Sequence, residues 1–405
     1  MIDIKIIRDS ADVVRAGLKK RGKDERLVDE FLALDVKWRA ASTALDVERA
    51  AQNELSKARD VEGAKAKKAA VKELEVALTA LEVERNALLQ KFPNTPMDSV
   101  PEGRDDSANV VVREVGTKRE FSFPVKDYLT IAEGLGVIDV KKAAEVSGSR
   151  FGYLKGKAAL LEFALVQFAM KKLAAKGFTP VVPPVMIRPE VFMGMGRLAA
   201  DQKDERYYLP ADDLYLVGSA EHTLGPIHMD EVLREKDLPK RYVAFSTCFR
   251  REAGSYGKDT KGILRVHQFD KVEMFSFASP EKSAEEHQFL LSCQEEILSD
   301  LKLPYRVVEI CGGDMGWTDA KAYDCETWLP AQNGSVGEYR ETNSCSNTTD
   351  FQARGINVKT DKGVYAHMLN ATGIAIGRII IAIIENYQTA EGDFDIPDVL
   401  KTYID

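Results

Sequence analysis

The stretch F-R-R-E-A-G-S-Y-G-K-D-T-K-G-I-L-R-V-H-Q-F-D-K-V-E-M-F, Phe249 to Phe275, decides the fold class. Y-V-A-F-S-T-C-F-R-R-E leads into it and L-R-V-H-Q-F-D-K-V-E-M-F-S-F leads out, so it reads as two apolar strands joined by a Gly/Lys-rich segment. Side chains alternate faces along a strand. Arg250 and Glu252 therefore share one face of the first strand, and Arg265, Phe269 and Glu273 share one face of the second. One surface then carries two cations, two carboxylates and an aromatic ring. A nucleoside triphosphate needs such cations for its phosphates, where the arginine fork binds two oxygens at once, and a π-face for its base. An amino acid needs a carboxylate for its ammonium group. The plainer alternative is a surface hairpin laced by weak cross-strand ion pairs.

The rest of the chain sets the frame. At 405 residues it is long enough for a large core and an accessory piece. No run of about 18 apolar residues predicts a membrane span, and M-I-D-I-K-I-I-R-D-S lacks the features of a secretory signal. Cys248, Cys293, Cys311, Cys325 and Cys345 are scattered, odd in number and without a CxxC pair. Reduced thiols in a cytoplasmic protein are expected, with neither a disulfide framework nor a structural zinc site. The net charge of -8 speaks against a surface that binds polyanions all over, although the first 95 residues carry about +2 and the remainder about -10. Neither a membrane nor DNA is an expected partner.

From about residue 25 to 92 the chain is rich in Ala, Leu, Glu, Lys and Arg and has no proline. Leu27, Phe31, Leu34, Trp38, Ala41 and Leu45 form one helical stripe, and Val71, Leu74, Leu78, Leu81 and Leu88 a second. Placed around D-V-E-G-A (Asp60 to Ala64), they predict an antiparallel helical hairpin, or alternatively part of a bundle. F-P-N-T-P-M-D-S-V-P-E-G then marks a domain boundary. Beyond it, V-V-V-R-E-V-G reads as a strand and G-K-A-A-L-L-E-F-A-L-V-Q-F-A-M-K-K-L-A-A-K-G as a helix with a glycine end. F-T-P-V-V-P-P-V-M-I-R suits an edge or interface strand. Short strands follow, interrupted by helices, with no GxGxxG or Walker loop. The expected fold class is α+β, an antiparallel sheet flanked by helices.

Several segments, in order, resemble the seryl-tRNA synthetases of the bacterial, zinc-independent kind, which are class II aminoacyl-tRNA synthetases. F-R-R-E with R-V-H-Q-F-D-K-V-E-M-F is similar to that family's motif 2, K-G-F-T-P-V-V-P-P-V-M-I-R to motif 1, and G-I-A-I-G-R-I-I-I-A-I-I-E-N-Y-Q to motif 3. A-K-A-Y-D-C-E-T-W-L-P and E-T-N-S-C-S-N-T-T-D-F-Q-A-R match the segments between them, and the hairpin matches a tRNA-gripping arm. The resemblance implies a tRNA-binding domain over residues 1–100, with its coiled-coil arm, and a catalytic domain over 101–405. The implied activity is charging of tRNA(Ser), and of a selenocysteine tRNA where one exists, with L-serine. It would use ATP and Mg²⁺, in a homodimer.

By that resemblance Arg250 contacts the α-phosphate and the serine carboxylate, with Glu341 and Arg378 completing the catalytic set. Glu252 accepts from the adenine amino group, Phe269 and Arg378 cover its two faces, and Arg265 reaches the terminal phosphates. Arg251, Thr342 and Asn343 fall in the same ATP-binding segments, and Glu341 with Ser344 would hold Mg²⁺. Serine binding falls to Ser219, Ala220, Glu221, Arg250, Glu273, Asn370 and Thr372. The chain departs from the family's pattern at Ser219, where threonine is usual, and at Asn370-Ala371-Thr372, where Asn-Gly-Ser is usual. It also has Tyr128 where histidine is more frequent, a position outside the motifs. Synthetase-like ligases that load carrier proteins lack the long arm, and a non-catalytic paralogue would have lost Arg250, Glu252, Glu341 or Arg378. Lys65, Lys67 and Lys68 near the hairpin turn are either solvated helix charges or contacts to the tRNA backbone.

Overall fold

The computed structural model describes residues 1–198, 202–253 and 261–404. The chain divides into two compact units, Met1–Thr95 and Pro96–Asp405.

In the first unit, α1 (Ile4–Asp9) and α2 (Ala11–Lys20) precede two long helices, α3 (Arg26–Lys57) and α4 (Val61–Leu89), that pack as a hairpin. Burial is concentrated at its base, where Ile7, Val28 and Phe31 are fully enclosed and Phe31 meets Phe92 edge to face at 5.7 Å. Toward the turn the arm has little to pack against, and Val47, Val61 and Val76 are exposed. The turn falls at Ala58–Asp60, earlier than Asp60 to Ala64. Arg59 adopts φ +60°, and the Asp60 carboxylate accepts from the Gly63 N–H, so Val61–Ala64 already form the first turn of α4. Near the base, Asp35 interrupts the apolar stripe of α3. It is fully buried and held by Arg8 at 2.6 Å, Arg39 at 3.1 Å and Arg85 at 3.3 Å, while the Arg85 guanidinium lies 3.8 Å over Trp38.

The second unit is built on an eight-stranded sheet. Its strands are β1 (Val110–Val115), β2 (Thr179–Val181), β3 (Lys240–Phe249), β4 (Gln268–Ala278), β5 (Tyr305–Glu309), β6 (Lys321–Leu329), β7 (Glu338–Asn347) and β8 (His367–Ala375). They lie in the order β1-β5-β6-β7-β8-β4-β3-β2. Neighbours are antiparallel except β2, the Pro-flanked edge strand, which runs parallel to β3. After α5 (Tyr128–Gly134), helices α6 (Lys157–Ala175), α7 (Ser283–Asp300) and α8 (Ile376–Asn386) share the main apolar core with one sheet face. That face shows Val272 and Met274 of β4, Cys345 of β7, and Leu369 and Ala371 of β8 to the helices. The alternate residues Phe269, Lys271, Glu273, Ser344 and Asn370 line open cavities instead. The segment G-I-A-I-G-R-I-I-I-A-I-I-E-N-Y-Q is thus strand to Ala375 and helix only from Ile376.

β-Bulges on β7 and β8 break this alternation near the cavities. Thr342 is unmatched between the pairs Cys325↔Asn343 and Glu326↔Glu341, and Gly373 is unmatched between Val272↔Ile374 and Glu273↔Thr372. The β7–β8 ladder runs only over Cys345–Asn347, so the strands part at the bulges. The freed carbonyls are met by side-chain amides. Asn343 Nδ2 donates to Thr372 O at 3.0 Å and Gly373 O at 2.8 Å, and Gln294 Nε2 donates to Ser344 O at 2.7 Å and Thr372 O at 2.9 Å.

Candidate active site

Where the strands part, two cavities adjoin. A narrow slot is walled by Ile263, Leu264, Val266 and Phe269 and edged by Arg250, Glu252, Arg265 and Arg378. Beside it lies a polar pocket of about 330 Å³ that includes Arg197, Ser219, Glu221, Glu273 and Asn370. Arg250, Lys271, Glu341 and Ser344 line both. A slot lined by an aromatic ring and cations thus meets a polar pocket, with an arginine at the junction.

The arginine is positioned by backbone. β3 ends at Phe249, and Arg250 N–H donates to His267 O at 2.9 Å while its Nε donates to Gly218 O at 3.1 Å. His267 Nδ1 donates to Arg250 O. The expected strand does not continue through Glu252, whose φ is +53°. It bends instead, and Arg150 donates to its carbonyl at 3.3 Å. Arg265 likewise precedes β4, which starts at Gln268. Arg250, Glu252, Arg265 and Phe269 converge on the slot all the same, and the Glu252 carboxylate pairs with Arg265 at 3.1 Å. The joining residues 254–260 lie outside the described residues.

Glu341 and Ser344 are three apart and would point to opposite faces of a regular strand. The bulge at Thr342 brings both to the cavities. Arg378, at the start of α8, pairs with the Glu341 carboxylate at 3.2 Å and donates to its carbonyl at 2.8 Å, which holds the Glu341 carboxyl below the usual range. Asp324 on β6 lines the same pocket. Burial first, and then the charges of Glu341 and Glu326, push its carboxyl well above the ordinary value. Hard oxygen donors such as these suit Mg²⁺. Among the described residues no cluster of three or more His, Cys, Asp or Glu gathers as a metal cage.

Two of the pocket's other acids are already paired. Glu221 takes Arg197 at 2.6 Å and Glu273 takes Lys271 at 2.6 Å. Burial pushes the Glu273 carboxyl up, opposed by Lys271. Ser219 Oγ accepts from the Glu221 N–H at 3.3 Å. The Asn370 amide nitrogen lines the pocket, buried and without a partner. Thr372 lines the slot rather than the pocket, with its hydroxyl 3.5 Å from that of Ser344.

Three of the expected residues line neither cavity. Ala220 is buried behind the wall, Asn343 spans the bulge carbonyls, and Arg251 is exposed, with its backbone N–H bonded to Glu205 O. Arg197, Arg206, Lys271 and Asp324 went unread in the sequence. Lys271 was within reach, since it shares the parity of Phe269 and Glu273, whereas Arg197 comes from an irregular loop with no pattern to betray it. Burial and the nearby Arg250 and Arg197 pull the Arg206 guanidinium down to about 10. His222 accepts from the Gly218 N–H at 3.1 Å, and burial among arginines keeps it well below its ordinary value, as a neutral ring. All five cysteines are free and buried.

Comparison with known proteins agrees with this geometry. Residues 206–387 match the model of the tRNA synthetase class II core domain (G, H, P, S and T), and residues 1–96 that of the seryl-tRNA synthetase N-terminal domain. The serine–tRNA ligase of Thermobifida fusca is 44% identical over 418 residues, covering 100% of this chain and 97% of that protein. Among solved structures, the Pyrococcus horikoshii seryl-tRNA synthetase complexed with ATP superposes with a TM-score of 0.92 at 40% identity, covering 100% of this chain and 98% of that one. The cytoplasmic serine–tRNA ligase of Naegleria fowleri in complex with AMP gives 0.90 at 33%, covering 100% and 97%. The chain is a class II aminoacyl-tRNA synthetase by its fold and core domain, an ATP-dependent ligase. Within that class, the chain belongs to the seryl-tRNA synthetase family.

Proposed function

We propose that the chain activates L-serine with ATP to seryl-adenylate and transfers the seryl group to the 3′ end of tRNA(Ser). The observation that carries this reading is the junction at Arg250, the one arginine lining both the aromatic slot and the acidic pocket. A serine carboxylate oxygen attacks the α-phosphorus there, pyrophosphate leaves, and the terminal ribose hydroxyl of the tRNA later displaces AMP. Such a displacement needs alignment and charge stabilisation more than a general base. Arg250 holds the serine carboxylate and the α-phosphate together. Phe269 and Arg378 sandwich the adenine, Glu252 accepts from its amino group, and Arg265 takes the terminal phosphates. Glu221 and Glu273 face the ammonium group, and Asn370, with its free amide, and Ser219 lie within the same pocket for the rest of the amino acid. Glu341, Ser344 and the adjoining Asp324 suit Mg²⁺, which when bound supplies charge neutralisation at the phosphates.

The arm is the surface we assign to tRNA. Lys65 and Lys68 are exposed near its tip, whereas Lys67 pairs with Glu48 at 2.8 Å. A homodimer is supported by exposed apolar side chains on α6 and around β2, with Phe163 at 62% and Val182 at 84% exposure. A hydrodynamic mass of one chain would exclude it. No helix among the described residues is long and apolar enough to cross a membrane, and the free thiols suit the reducing cytoplasm.

ATP–pyrophosphate exchange without tRNA tests the reading. Serine is expected to support it, with alanine and threonine each at least about tenfold weaker, since one leaves buried polar groups unpaired and the other adds a methyl group. Absence of serine-dependent exchange would overturn the proposal.

A further inference from the structure

Tyr128 lies outside every motif, yet its side chain reaches the wall of the nucleotide slot. It opens α5, whose first N–H groups are capped by Asp127, and only 6% of it is exposed. Its hydroxyl oxygen accepts from Ile263 N–H at 2.8 Å, with Leu264 N–H also directed at it. The adjacent Gly262 has φ +74°, and a Cβ there would stand 1.7 Å from the same hydroxyl, so the chain passes hard against it. Ile263, Leu264 and Arg265 form one edge of the slot but precede β4, so the β-ladder does not fix their height.

The other end of Tyr128 is anchored too. Its backbone N–H donates to Glu385 Oε1 at 3.3 Å. Glu385 is fully buried on α8 and also accepts from Ala331 N–H at 3.0 Å and Gln332 Nε2 at 2.7 Å. The same helix carries Arg378, which also lines the slot. Tyr128 therefore connects the helix of Arg378 to the segment of Arg265.

We infer that Tyr128 is a positioning residue for ATP, its hydroxyl setting the segment that presents Ile263, Leu264 and Arg265 to the nucleotide. The inference rests on the proposed adenylation reaction. Burial pushes the phenol up to about 12, so the oxygen stays a neutral hydroxyl throughout the working range.

Tyr128→Phe keeps the ring and removes only the acceptor, stranding buried N–H groups. The KM for ATP in serine-dependent exchange is expected to rise about 5- to 50-fold, the usual range for an orphaned buried donor. The KM for serine and the maximal rate should change less than about threefold, because the serine pocket is built from other elements. The rise should be clearly smaller when Tyr128→Phe is made in an Arg265→Ala background, whereas a merely structural role would give additive losses. If Tyr128→Phe does not fold, Glu385→Gln loosens the other end of the same link and should give the same split. An unchanged KM for ATP, or full additivity with Arg265→Ala, would overturn the inference while wild-type exchange leaves the adenylation reading intact. A wild type without exchange would overturn that reading instead.

Discussion

Replacing Arg250 with alanine is expected to lower serine-dependent ATP–pyrophosphate exchange by at least about a thousandfold, the upper range for losing one preorganised donor at a developing charge. The size follows from its place at the seam of the two cavities, where one guanidinium faces both reactants. Its loss removes the alignment of nucleophile and phosphorus together with the charge stabilisation. Folding should barely notice, since among the described residues the side chain donates to Gly218 O and lies 5.2 Å from the Phe269 ring without packing into the core. The melting temperature should therefore stay within a few degrees of wild type. Arg250→Lys keeps the charge without the fork and should recover only part of the rate. Exchange above about a tenth of wild type in Arg250→Ala would refute the assignment, because a single lost donor of this kind costs a hundredfold or more.

Asp35→Ala is the change expected to cost most in stability. Burial pushes the Asp35 carboxyl up, but the hydrogen bond and charge of Arg8, with Arg39 and Arg85, outweigh it and hold the group below its ordinary range. Removing the carboxylate leaves Arg85, only 10% exposed, without its counter-charge. Breaking a buried pair in this way costs about 3–5 kcal/mol. The loss should be confined to Met1–Thr95, so the thermal unfolding of the full chain, followed by circular dichroism, should gain an earlier step. Serine activation should persist while charging of tRNA falls. Because the folded-state value is depressed, this contribution is present above the unfolded value of 3.8 and fades only as pH falls through the folded value. Wild type and variant should therefore converge in strongly acidic solution. A single unshifted melting transition in Asp35→Ala would show the cluster to be dispensable.

Much of this molecule was readable from periodicity and turn chemistry, and the exceptions share a cause. The helical arm, the Pro-flanked edge strand and the shared face of Phe269 and Glu273 follow from patterns that local sterics impose. The turn of the arm was misplaced by a few residues because Asp60 caps a helix rather than opening a loop. Arg250, Glu252 and Arg265 were grouped correctly, although strand alternation does not place them. A left-handed bend at Glu252 and a non-strand segment after Gly262 do. The convergence of Glu341 with Ser344 depends on an extra residue in β7, and a bulge leaves no period to read. Asp35, Asp324, Arg197 and Tyr128 act through partners remote in sequence, so their roles appear only once the chain has folded.

Four acids of the candidate site each have a base in attendance: Glu252 with Arg265, Glu341 with Arg378, Glu273 with Lys271 and Glu221 with Arg197. Substrates arriving at such a surface do not meet bare charge. They cut in on existing couples, and much of what a phosphate gains from an arginine is offset by what that arginine gives up. The grip on each reactant is thereby moderated, and ionic strength has less to screen. The same arrangement favours departure, since Arg265 and Arg378, once released by pyrophosphate or AMP, have their former partners at hand. A resting site with four of its acids already paired is one built to let go.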